Sequence, residues 1–108
     1  MNTQLENATK TLTVTVPGDL LSTNANAVRE ELFRFLEPPA GTEGDWLTLR
    51  IDLTKAQMID SVGLNLLVAV VRTLKARNRR TQAVISNPNI LRTFQFTRLD
   101  QQLEVIRN

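Results

Sequence analysis

The sequence predicts a compact, single-domain α/β fold. Segments that alternate apolar and polar residues are each followed by apolar residues at helical spacing, and turn or capping residues punctuate the joints. The size agrees. A chain of 108 residues, 42% hydrophobic and 22% charged, can bury one core and has the balance of a globular protein.

The elements follow in order. Residues 1–9 are polar and are expected to form a flexible N-terminal tail, with the folded domain over residues 10–108. From Thr11 to Val16 the chain alternates strictly: Leu12, Val14 and Val16 face one side, Thr11, Thr13 and Thr15 the other, as in a half-buried strand. Pro17-Gly18-Asp19 ends it with turn chemistry. Ser22-Thr23-Asn24 can cap a helix, and Val28, Leu32, Phe35 and Leu36 continue at helical spacing, so a helix is expected over 24–36. Glu37 to Asp45 holds two prolines and two glycines and reads as a loop. Trp46 to Leu53 reads as the next strand, with Leu47, Leu49, Ile51 and Leu53 on one side. Thr54 to Asp60 leads into a second helix, 62–77. Gln82 to Ser86 is a short apolar strand, Asn87-Pro88 opens a third helix to Phe96, and Leu103 to Ile106 ends the chain as a short strand.

The second helix is apolar beyond one face. Leu64, Leu67, Val70, Val71 and Leu74 make a stripe, with Val62 and Leu66 on one margin and Val68 on the other. A wide core face would explain this, and so would an exposed patch that docks a partner. Gly63 in the first turn suggests close approach of another backbone or of a partner, since glycine costs about 1 kcal/mol against alanine in a helix. At the Asp60-Ser61 junction serine is the expected N-cap.

Much chemistry is excluded. Without histidine or cysteine there is no Ser-His-Asp or Cys-His nucleophile and no usual zinc ligand set. No phosphate-binding glycine loop and no dinucleotide fingerprint occur. Asp52 and Asp60 are the only hint of a carboxylate metal site, and strand-end and capping roles explain them more simply. An enzyme therefore has little to build on, and no catalytic residue, cofactor or metal is expected. No apolar run is long enough to span a bilayer and the N-terminus lacks a signal-peptide core, so a cytoplasmic protein is expected. Arg72, Lys75, Arg77, Arg79 and Arg80 fall within nine residues. They read as a solvated helix end; the alternative is a nucleic-acid-binding surface.

The element order, with Leu53, the run Met58-Ile59-Asp60-Ser61-Val62-Gly63-Leu64, the strand Ala83-Val84-Ile85-Ser86 and Thr97-Arg98-Leu99, resembles the anti-sigma-factor antagonist family, whose fold is the STAS domain. The resemblance covers about residues 10 to 107, and the family pattern Asp-Ser-(Ser/Thr)-Gly-Leu-Gly is matched at Asp60, Ser61, Gly63 and Leu64. Val62 stands where that pattern has a second hydroxyl, Asn65 where it has glycine, and Leu21 where an aspartate is usual after the first strand.

The resemblance implies a STAS-like domain: a mixed β-sheet of four to five strands packed with helices. It also implies a bacterial phospho-switch. Ser61 would be the phosphate acceptor for a serine-kinase/anti-sigma-factor partner, and a PP2C-type phosphatase would reverse the change. The unphosphorylated form would bind the partner and release its client; phosphorylation would end binding. Asp60, Gly63 and Leu64 would belong to the docking surface, joined by Val62, Leu66 and Val68 if the helix margins are exposed. The alternative within the family is a non-phosphorylated STAS scaffold or accessory subunit of a signalling or transport assembly. No nucleic-acid partner and no membrane insertion are expected.

Overall fold

The computed structural model describes residues 2–36 and 46–108, without the side chains of 35 and 36. The expected loop over 37–45, and the expected core-facing side chains of Phe35 and Leu36, lie outside the described residues. The chain runs β1 (Asn2–Glu6), β2 (Thr11–Thr15), α1 (Ala25–Leu36), β3 (Thr48–Asp52), α2 (Ser61–Ala76), β4 (Arg80–Ile85), α3 (Pro88–Phe96), a 3-10 turn (Leu99–Gln101) and β5 (Glu104–Arg107).

The five strands lie side by side in chain order. β1 pairs antiparallel with β2, and every later neighbour is parallel, with a helix in each crossover. This is the mixed sheet expected. Register places Thr13 beside Arg50, Arg50 beside Gln82 and Gln82 beside Glu104.

Period-two alternation divides the sheet into two faces. Leu12, Val14, Leu49, Ile51, Ala83 and Ile85 are buried with Leu32 of α1, Leu67, Val70, Val71 and Leu74 of α2 and Phe94 of α3. Thr13, Thr15, Arg50, Asp52, Gln82 and Val84 form the opposite, half-exposed face. There Arg50 Nε donates to Gln82 Oε1 at 3.0 Å and Gln82 Nε2 to Glu104 Oε1 at 2.8 Å, a hydrogen-bonded row across three strands.

Two expectations are corrected. Residues 2–6 are not a flexible tail: they pair with β2 from Asn2 beside Thr15 to Glu6 beside Thr11. Every side chain of β1 is exposed, so the strand is held through its backbone and carries no apolar pattern to read. At the start of β3, alternation puts Leu47 with Leu49 and Ile51, yet it is 53% exposed while Trp46 is 2% exposed. Strand geometry begins only at Thr48, so alternation does not extend back to Leu47. The third helix opens as expected, with Asn87 Oδ1 accepting from the Asn89 amide at 2.8 Å and Pro88 in the first turn.

Candidate functional site

The loops after β2 and β3 emerge at the C-terminal ends of neighbouring parallel strands, where an open α/β sheet commonly presents its sites. They are joined along their backbones. The Leu20 amide donates to the Met58 carbonyl at 3.1 Å and the Asp60 amide to the Leu20 carbonyl at 3.2 Å, an isolated parallel bridge between Leu20 and Ile59.

Two aspartates lock this joint from opposite sides. Asp19, in the first loop, accepts on Oδ1 from the amides of Gln57 at 2.7 Å and Met58 at 3.1 Å in the second. Asp60, in the second loop, accepts on Oδ2 from the Ser22 amide at 2.7 Å in the first. Its other oxygen caps α2 by accepting from the Gly63 amide at 2.9 Å. The Gly63 amide, then that of Ser22, with smaller help from the Ser22 hydroxyl and the Val62 amide, hold the Asp60 carboxyl below its ordinary pKa; partial desolvation opposes them.

The N-cap is therefore Asp60, which corrects the expectation that Ser61 caps the helix. Ser61 is the first helical residue, exposed, and its hydroxyl is not engaged by any group among the described residues. Sequence chemistry favours aspartate and serine almost equally as caps, so the choice between adjacent residues is made by the loop geometry that turns Asp60 toward Ser22.

Gly63 is buried at the crossing of the two loops. A Cβ there would lie 2.5 Å from the Leu20 carbonyl oxygen, 2.9 Å from Leu20 Cγ and 3.0 Å from Ile59 Cγ2. The glycine serves an approach of backbone within the molecule, and, expected at the docking surface, it is instead buried under Leu20.

The expected partner-facing residues separate sharply. Val62 is 43% exposed and Met58, on the loop before the helix, 59%. Leu66 is 4% exposed and belongs to the core, so its expected place on an exposed margin is corrected: the helix turns that position into the core. Leu64 and Val68 are half-buried and pack against the same core. What faces outward around Ser61 is Met58, Val62 and Asn65, the last of them one turn on from Ser61 along the same helix face. Met58 and the clamp residues Asp19 and Ser22 were not foreseen as part of this site. The Pro17-Gly18-Asp19 turn signalled a loop, but the partners of Asp19 lie 38 and 39 residues away.

Neither aspartate considered for metal binding is free. Asp52 Oδ1 accepts from the Thr54 amide at 2.9 Å and the Thr54 hydroxyl at 2.7 Å, and Asp60 is committed as above. Among the described residues no three potential ligands converge, and no helix is long and apolar enough to cross a membrane.

Solved structures with the same fold are found at low identity. A candidate anti-sigma factor antagonist from Thermotoga maritima superposes with a TM-score of 0.84 at 17% identity, covering 99% of this chain and 85% of its own. SpoIIAA, a Bacillus cell fate determinant, in its phosphorylated form gives 0.69 at 21% identity, covering 99% and 91%. A sulfate transporter family protein from Wolinella succinogenes gives 0.70 at 13% identity, covering 95% and 80%. Among curated proteins none matches by sequence. The STAS domain model matches residues 2–108, and with the sheet order, the clamped loops and the helix that begins at Ser61 this makes the chain a member of the STAS family.

Proposed function

We propose that this domain is a phospho-switch of the anti-sigma-factor antagonist kind, with Ser61 as the phosphate acceptor. The observation that carries the reading is the hydroxyl of Ser61: it stands exposed in the first turn of α2, released from capping by Asp60 and flanked by exposed Met58 and Val62. A kinase can reach it, and the same surface suits a protein partner.

The physics of the switch is local. A phosphoryl group adds about −1.5 to −2 charges at neutral pH. Here it arrives beside Asp60, whose carboxylate already holds the Gly63 amide, so the phosphate gains less from the helix terminus than at an uncapped one. It points outward and leaves the core untouched. A partner seated on Met58, Ser61, Val62 and Asn65 would bury that charge at a cost of several kcal/mol, and each 1.4 kcal/mol is a tenfold loss of affinity. Unphosphorylated protein binds a serine-kinase/anti-sigma-factor partner in the cytoplasm and releases its client; phosphorylated protein does not bind. A PP2C-type phosphatase resets it.

Incubation with the cognate kinase and ATP, followed by intact mass measurement, tests the reading. One phosphate is expected on the native chain and none on Ser61→Ala. An unmodified native chain that still binds the kinase would favour the second reading, a STAS scaffold or transport accessory subunit, to which the likeness with the sulfate transporter family protein lends support.

A further inference from the structure

The cluster Arg72, Lys75, Arg77, Arg79 and Arg80 takes no part in the Ser61 surface. It lies toward the other end of α2, a helix of 16 residues and so about 24 Å long. The end of that helix is fixed by its backbone. The Asn78 amide donates to the Lys75 carbonyl at 3.1 Å and the Arg79 amide to the Leu74 carbonyl at 2.8 Å, with Asn78 at φ 58° in the left-handed conformation. The turn sends Arg79 back over the buried ring of Trp46, its guanidinium carbon 4.0 Å from the ring centroid.

Beside this stack opens a cleft of about 430 Å³, whose charged and carboxamide lining is Lys75, Arg79, Arg80, Gln101, Gln102 and Glu104. Three cations meet one carboxylate there, and Glu104 Oε1 already accepts from Gln82. No carboxylate among the described residues pairs with Lys75, Arg79 or Arg80. Like charges converging on a concave surface repel one another and raise the local concentration of anions. Of the last carbonyls of α2, which would oppose an anion, those of Leu74 and Lys75 accept from the amides of residues 77 to 79.

We propose that this cleft binds a small phosphate-bearing ligand, with Lys75, Arg79 and Arg80 supplying charge and the side-chain carboxamides of Gln101 and Gln102 orienting it. Arginine forks match phosphate oxygens in pairs, and the volume is that of a small-molecule site. A nucleic-acid strand fits less well. Arg72 and Arg77 lie outside the lining, and no aromatic ring lines the cleft to stack a base.

The probe is inorganic pyrophosphate, titrated into the full chain by calorimetry and followed by the emission of Trp46, the only tryptophan. Saturable binding is expected, weakened about tenfold or more by Arg80→Ala and by Lys75→Ala, both at exposed positions. Glu104→Gln should tighten it and Ser61→Ala leave it unchanged. A nucleoside triphosphate that competes for the same cleft supports the site and, if it binds tighter than pyrophosphate, shows that a nucleoside adds contacts. Failure of pyrophosphate to saturate, or binding indifferent to both Lys75 and Arg80, overturns the proposal. So does salt-sensitive binding of a single-stranded oligonucleotide that also needs Arg72 and Arg77 while pyrophosphate does not bind.

Discussion

Asp19 and Asp60 face each other across the joint between the β2–α1 and β3–α2 loops, each gripping backbone amides of the loop it does not belong to. Asp19 takes Gln57 and Met58; Asp60 takes Ser22 and, through its other oxygen, the first turn of α2. The approach to Ser61 is thus fixed by four charge-assisted hydrogen bonds to main chain, the stronger class of hydrogen bond in proteins.

This arrangement makes stability depend on acid. The folded-state pKa of Asp60 lies below its unfolded value near 3.8, so its contribution is fully present above that value and is lost as pH falls through the lower folded pKa. Urea unfolding of Asp60→Asn, followed from neutral pH down past the carboxylate range, should show a flatter acid limb than the native chain. Parallel acid limbs would show that Asp60 is held no differently in the two states.

Ser61→Ala should change stability by no more than about 0.5 kcal/mol, because the residue is exposed and the cap is its neighbour. A loss of about 1 kcal/mol or more in the unfolding free energy would mean that serine caps the helix after all.

Gly63→Ala tests the crossing of the loops. On helix propensity alone the change would stabilise by about 1 kcal/mol. The added Cβ meets the Leu20 carbonyl at 2.5 Å, and backbone has to move, so a net destabilisation of about 1–3 kcal/mol is expected instead. Chemical denaturation decides the sign.

Val62→Glu and Leu66→Glu separate surface from core. The first should keep its native circular-dichroism melt and lose affinity for the kinase partner. The second buries a charge in the hydrophobic core, and should unfold the domain or cost at least about 3 kcal/mol. A native melt for Leu66→Glu would show that α2 can rotate this margin outward.

Most of the architecture was legible because it rests on periodicity. The alternation of Leu12, Val14 and Val16, the Asn87-Pro88 start of α3 and the apolar stripe of α2 are local signals, and each element formed where its pattern lay. β1 was not legible, since an edge strand with five exposed side chains needs only its backbone. The motif around Ser61 could be read, but not which of its residues face out. Leu66 and Val62 both lie on the margin of a 3.6-residue stripe, and only the angle at which α2 meets the sheet buries one and exposes the other. The clamp was invisible for a different reason: a carboxylate that binds amides 38 residues away leaves no mark on the identity of the residues that supply them.

That last property bears on how the surface can diverge. Residues 22, 57 and 58 are held chiefly through their backbones, the Ser22 hydroxyl adding only a little, and any residue except proline has an amide to give. Substitution at these three positions can alter the size, charge and polarity displayed next to Ser61 without disturbing the frame beneath. Paralogous domains built on such a clamp can acquire separate partners by changing side chains only, so that parallel signalling circuits stay insulated while sharing one scaffold.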